Sequence, residues 1–299
     1  MLDERRFPHL TRRGFLMGAT GVGLGALVAG CGGGGDNGDG FDDIFEGTYR
    51  YFRDNVDGRG GDVAASFTVD DFGLVTFWTL YASDSPLLDF GQVFIDNGGF
   101  FEQQFDGVRT RGRLRGNNRI EGRTELIGSG NGFDFNATFT NRFVSNPPPA
   151  FLTGTYNGFQ RLRGIDIFTL LGVSRDGNAT VFVSLDNPAT GDTDYFIFEG
   201  PAFNRDGNAE GYFLDLYGDR MAIRDDGSDD DVRMEFQFGR SAPDVGFAAG
   251  EVIELRLDLD ADTRTRSLSL PARANVSRTG PGVRRAVEAL RARKGQISR

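Results

Sequence analysis

From residue 42 onward, apolar and polar side chains alternate along short runs. Examples are Phe133, Phe135, Ala137 and Phe139; Val232, Met234, Phe236 and Phe238; and Ile253, Leu255, Leu257 and Leu259. A period of two sends successive side chains to opposite faces of a strand, so each run predicts one apolar and one polar face. Turn clusters separate the runs: Asp71-Phe72-Gly73, Asp96-Asn97-Gly98-Gly99, Gly116-Asn117-Asn118, Gly130-Asn131-Gly132, Asp176-Gly177-Asn178, Asp206-Gly207-Asn208 and Asp226-Gly227. Gly and Asn reach the positive φ that tight antiparallel turns demand. No helical pattern intervenes before residue 280, so strands pair with their sequence neighbours. The expected fold class is all-β, an antiparallel meander.

The meander also repeats itself. Gly47-Thr48-Tyr49 recurs as Gly154-Thr155-Tyr156, the Gly73 turn at Gly177, the Asp96 turn at Asp206 and Gly116 at Gly227, in the same order, with Asn146-Pro147-Pro148-Pro149 where a linker belongs. This predicts repeats over 42–145 and 151–270, joined by a Pro linker over 146–150. Each has room for about seven or eight short strands, enough for a small up-and-down β-barrel or a curled sheet. The Gly-Thr-Tyr opening resembles the first strand of lipocalin and avidin-like barrels, which often begins Gly-x-Trp; here Tyr49 and Tyr156 stand in the Trp position. The body is also similar to uncharacterised bacterial envelope proteins built from Gly-Thr-Tyr β repeats. That resemblance implies a location and a fold, and no activity.

The first 41 residues follow a different logic. Arg12 and Arg13 precede Gly14, Phe15, Leu16 and a Gly- and Ala-rich apolar run ending at Gly30. The run is shorter than the roughly 20 residues of a spanning helix, so it reads as a cleavable signal over 1–30. It resembles a twin-arginine export signal, and Val28-Ala29-Gly30-Cys31 resembles a lipobox. These resemblances imply diacylglycerol on the Cys31 thiol and cleavage before it. Two or more acyl chains, at about 0.8 kcal/mol per buried methylene, hold a protein on a membrane without a spanning segment. Residues 31–41 then form a tether, Gly-rich and with no side chain to bury before Phe41. Gly32 stands where an Asp would signal inner-membrane retention, which points to the outer membrane or cell surface, on the extracytoplasmic side.

Composition narrows the chemistry. The single Cys is Cys31 and the single His is His9, so a processed chain has neither thiolate nor imidazole for nucleophilic catalysis or zinc. No catalytic residue, metal site or cofactor is expected. Between Gly32 and Leu270 the chain carries 21 basic and 40 acidic residues, which argues against nucleic acid as a partner of the body. The tail over 271–299 reverses this with eight basic and one acidic residue. In it Val283, Ala286, Val287 and Leu290 share a helical face, too short to be stable without a surface, whether the acidic body, lipid headgroups or a partner.

Particular residues leave alternatives open. The 28 Phe residues either fill a core or line a cavity for a small apolar ligand. Trp78 is either core or a stacking platform. Arg109, Arg111, Arg113 and Arg115 lie on one strand face, as cross-strand partners for acids or as an anion strip. Asp225, Asp226, Ser228, Asp229, Asp230 and Asp231 lack the spacing of an EF-hand calcium loop and fit a solvated hairpin tip better. The leading function is a noncatalytic structural or interaction module of the cell envelope, with the membrane and an envelope protein as partners. The alternatives are a carrier of a small apolar ligand in a Phe-lined barrel and a carboxylate-dependent hydrolase.

Overall fold

A computed structural model describes residues 46–56, 61–70, 72–116, 118–140, 153–175, 177–201, 211–214, 220–225, 231–259, 283 and 286–288. The first half forms β1 (Gly47–Arg53), β2 (Asp62–Val69), β3 (Leu74–Ala82), β4 (Leu87–Phe94), β5 (Phe100–Phe105), β6 (Val108–Arg115), β7 (Arg119–Leu126) and β8 (Gly132–Phe139). The second forms β9 (Gly154–Leu162), β10 (Ile165–Val173), β11 (Asn178–Asn187), β12 (Asp192–Pro201), β13 (Gly211–Leu214), β14 (Arg220–Asp225), β15 (Asp231–Gln237) and β16 (Val252–Leu259). All pairing between these strands is antiparallel. The all-β expectation holds: there are two separate sheets, one a nearly closed barrel and the other a half-barrel.

Both sheets have the same strand order. The first runs β4-β3-β2-β1-β8-β7-β6-β5 and the second β12-β11-β10-β9-β16-β15-β14-β13. In each, the last strand returns to pair with the first, through Tyr49↔Phe139 and Tyr156↔Leu259. The two Gly-Thr-Tyr openings are therefore equivalent, each with a Gly at positive φ (147° and 137°) followed by a buried Thr and a buried Tyr.

Glycine and phenylalanine are used together inside the first sheet. Phe101 lies directly across from Gly112, and Phe135 across from Gly122. A Cβ on Gly112 would stand 2.4 Å from the Phe101 ring, and one on Gly122 would stand 2.4 Å from the Phe135 ring. Each missing side chain is the space in which a neighbouring ring lies flat. Phe67 then meets Phe135 at 5.0 Å, Phe77 at 5.9 Å and Phe101 at 6.0 Å between ring centroids. Aromatic contacts of this kind add to the burial of each ring.

The two sheets pack face to face through β2, β3 and β4 on one side and β10, β11 and β12 on the other. Phe90 stacks on Phe182 at 3.6 Å, and Trp78 donates its indole N–H to the Phe198 carbonyl at 3.2 Å. Nearby, hydroxyls take over: Ser66 to Thr180 at 2.7 Å, Thr68 to Thr180 at 2.9 Å and Thr48 to Ser174 at 3.0 Å. A Cβ on Gly172 would lie 2.8 Å from the Thr76 Cβ, so the two sheets approach closely there. Val283, Ala286 and Val287 are helical and buried in the same cluster as Trp78, Leu80, Phe90 and Phe168. The tail's apolar face thus closes on the protein's own body; Leu290 lies outside the described residues.

Turn positions are largely as expected, with one shift. The Gly73, Gly99 and Gly177 amides close their turns on Asp70, Asp96 and Ser174. Gly132, read as turn, is instead the first residue of β8, opposite Glu125, and the connection lies at 127–131, with positive φ at Gly128 and Gly130. The cause is local: Leu126 N–H reaches the Asn131 carbonyl, and Gly132 fits so tightly under the Thr124 carbonyl that a Cβ would lie 2.6 Å from it. The Asp206 and Asp226 turns, the Pro linker and all of residues 1–45 lie outside the described residues.

Candidate functional site

Among the described residues, two places combine polar chemistry with enclosure. The first is inside the first sheet. Along β4, Leu87, Asp89, Gly91 and Val93 face inward by the strand's alternation, which places a carboxylate among apolar rings. Asp89 is fully buried. Its Oδ2 accepts the Thr110 hydroxyl, and its Oδ1 accepts the Phe90 amide at 2.9 Å. Thr110 in turn shares a hydrogen bond with Thr124 at 2.9 Å, and Thr124 shares one with Thr79 at 2.9 Å. Gln103 Nε2 donates to the Phe90 carbonyl at 2.9 Å.

This network spans β3 to β7 and bridges β4 and β5, the two strands at the sheet's edges, which no backbone ladder joins. A buried carboxylate is tolerated only when its oxygens are hydrogen-bonded, and the bonds it makes are stronger than neutral ones. Its evident work is to hold the edges together from inside. An Asp within Leu87-Leu88-Asp89-Phe90 is a signal that a reading of the sequence could have picked out, and ours did not.

The second place is a cleft of about 580 Å³ at one end of the second sheet, lined among others by Arg161, Arg163, Asn187, Thr190, Asp192 and Phe247. The β9–β10 turn supplies the arginines through Arg163 (φ 52°) and Gly164 (φ 85°). A 3₁₀ turn over Pro243–Val245 supplies the opposite wall. Arg163 is ion-paired with Glu251 and lies 6.0 Å over the Phe247 ring; Arg161 approaches Asp166 at 3.5 Å. The Glu251 carboxyl is held below its ordinary pKa by the Ala248 amide and, after it, by Arg163. Both guanidiniums therefore already have carboxylate partners.

Of the residues singled out by sequence, Trp78 is core, only 2% exposed. The arginine row on β6 divides. Arg109 pairs with Glu125 across the strands and Arg115 with Glu121 at 3.3 Å, while Arg113 donates to the Gly98 carbonyl at 3.2 Å. Arg111 lies between Glu102 and Arg123 in register. Hydrogen bonds from Arg109 and then Arg123 hold the Glu125 carboxyl low. Cross-strand pairing thus accounts for half of the row. Arg12, Arg13, Phe15, Leu16, Val28, Ala29, Gly30 and Cys31 lie outside the described residues, as do the side chains of the Asp225–Asp231 run. Among the described residues no group of three or more His, Cys, Asp or Glu is placed to hold a metal ion. No described helix is long and apolar enough to cross a membrane, which says nothing of strands.

No family model and no curated protein matches the chain. Among solved structures, it is similar to a protein of unknown function from the DUF3598 family of Nostoc punctiforme PCC 73102, at 11% identity and a TM-score of 0.19, covering 72% of this chain and 94% of that one. It is also similar to a candidate outer membrane protein of Bacteroides fragilis NCTC 9343, at 12% identity and a TM-score of 0.19, covering 71% and 94%. Likeness at this level carries no functional argument.

Proposed function

We propose that this chain is a lipid-anchored protein of the bacterial cell envelope, exported by the twin-arginine route and held on the extracytoplasmic side by diacylglycerol on Cys31. Its body serves there as a noncatalytic structural or interaction module. The anchor is supported by the order of the arginine pair, the apolar run and Val28-Ala29-Gly30-Cys31. The module reading rests on one observation: the first sheet fills its interior with its own Phe67, Phe77, Phe101 and Phe135 rings laid over Gly112 and Gly122, where a carrier would keep room for a ligand. The shared strand order supports descent of both halves from one repeat.

Native mass spectrometry of the mature protein in mild detergent, beside a Cys31→Ala form, tests this. The expected result is a lipid mass that the variant lacks. A second, tightly held small molecule would favour the carrier, and absence of a lipid mass would overturn the anchor.

A further inference from the structure

We propose that the end of the first sheet at which β1 begins faces the membrane and lies on the headgroups of an anionic phospholipid bilayer. This rests on the anchor reading of Cys31 and adds to it which surface of the body meets lipid. Register defines that end. Gly47 opens β1 opposite Val69, Leu74 pairs with Phe94, Phe100 with Arg113, and Arg115 with Arg119. Hydrogen bonds from Ile95 N–H to the Gly73 carbonyl (2.9 Å), Leu114 N–H to Gly99 (2.8 Å) and Phe139 N–H to Asn118 (3.0 Å) tie the turns into one rim.

Three features meet on this rim. Phe94 and Phe100 are 37% and 38% exposed on either side of a single turn. Their strand neighbours Val93 and Phe101 pack inside, so both rings point outward. Exposed aromatic side chains beside arginines suit the boundary between acyl chains and headgroups.

The second feature is charge. Arg113, Arg115 and Arg119 are exposed here. Among the described residues, Glu121 at the same end is engaged by Arg115, Glu46 by Arg175 from the second sheet, and Asp96 by the Gly98 and Phe100 amides, while exposed Glu102 lies opposite Arg111. Asp70 is buried, its carboxylate capping the Phe72 and Leu74 amides. The far end exposes Asp54, Asp84 and Asp106 beside Arg53. Among the described residues this end is thus less acidic than the other, and an acidic body approaches an anionic surface best by its less acidic end.

Connectivity is the third. Residues 32 to 46 join Cys31 to this end, and a chain of that length spans at most about 50 Å fully extended. A lipid on Cys31 keeps the rim close to the bilayer, so a weak surface contact suffices to orient the body.

The test uses the lipidated protein reconstituted in vesicles of phosphatidylglycerol and phosphatidylcholine that carry a photoactivatable group at the headgroup, with labelled peptides mapped by mass spectrometry. Labels should concentrate at residues 94–100 and 113–119. In the Phe94→Ser/Phe100→Ser double variant they should fall roughly five-fold, the effect of about one interfacial contact, while unchanged Trp78 emission reports an intact fold. Labels gathered at residues 83–86, 106–107 and 127–131, or spread evenly, overturn this surface and leave the anchor standing. A protein without lipid mass overturns the anchor, and the surface with it.

Discussion

Strands β2 and β6 are both eight residues long, belong to one sheet and alternate in polarity, yet they live in different surroundings. Along β6, Val108, Thr110, Gly112 and Leu114 are buried, and Arg109, Arg111, Arg113 and Arg115 reach the surface. Along β2 every residue is buried. Its second face carries Asp62, Ala64, Ser66 and Thr68, which by polarity alone belongs to a solvated strand. Size is what separates the two. Small side chains on β2 let the second sheet come close, and the Ser66 and Thr68 hydroxyls find Thr180 across the seam at 2.7 and 2.9 Å, as buried polar groups must.

The largest test of this difference sits at the apolar half of the seam. Phe182→Ala removes the ring stacked on Phe90 and is expected to cost about 3–5 kcal/mol, the range for large-to-small changes in a core. Arg111→Ala on β6 should leave stability unchanged. Urea unfolding followed by Trp78 emission reads both, because the indole lies in the same seam. If the two variants unfolded alike, β2 and β6 would not differ as described.

How much of this was legible follows from the same contrast. Where one face meets water, polarity alternates with burial, so Phe133, Phe135 and Ala137 and the row Val232 to Phe238 could be placed inward from sequence. The seam was legible only at Trp78, where both faces of β3 are apolar. Several positive-φ turns were missed, and two of them show different reasons. Asp106-Gly107 carries an ordinary hairpin signal that went unread, whereas Arg163-Gly164 places an arginine at φ 52°, where residue type gives little warning. The Asp89 network was hidden because its members, Thr79, Gln103, Thr110 and Thr124, come from four other strands.

Two substitutions of intermediate effect sharpen the comparison. Gly172→Val forces a branched side chain against Thr76 and Thr68, and should cost about 1–3 kcal/mol by overpacking. A neutral outcome in urea unfolding would mean that the sheets are farther apart than 2.8 Å from Cβ to Cβ implies. Asp89→Ala tests the inward face instead. It leaves the Thr110 hydroxyl without its carboxylate acceptor, and should cost about 1–3 kcal/mol. Because the network bridges the sheet's edges, hydrogen exchange should rise first in β4 and β5. An equal rise in every strand would show that Asp89 supports the core without closing the sheet.

The smallest effect is one of pH, at the rim of the seam in the second sheet. Asp186 lies opposite Asp166 on the neighbouring strand. Burial first, and Asp166 after it, push its carboxyl above the ordinary carboxylate range, against a lowering hydrogen bond from the Thr193 hydroxyl at 2.9 Å. An acid whose pKa is higher in the folded than in the unfolded chain binds more protons when folded. Its favourable contribution is therefore complete below the unfolded value, about pH 4, and is lost as pH rises through the raised folded value. Asp186→Asn removes that loss, so the stability difference between variant and wild type should move in the variant's favour from about pH 4 to about pH 7. Urea midpoints at the two pH values measure it. A difference that stayed constant would mean that Asp186 ionises alike in both states, and that the rim at Asp186, unlike the Phe90–Phe182 stack, is open enough to solvate a charge.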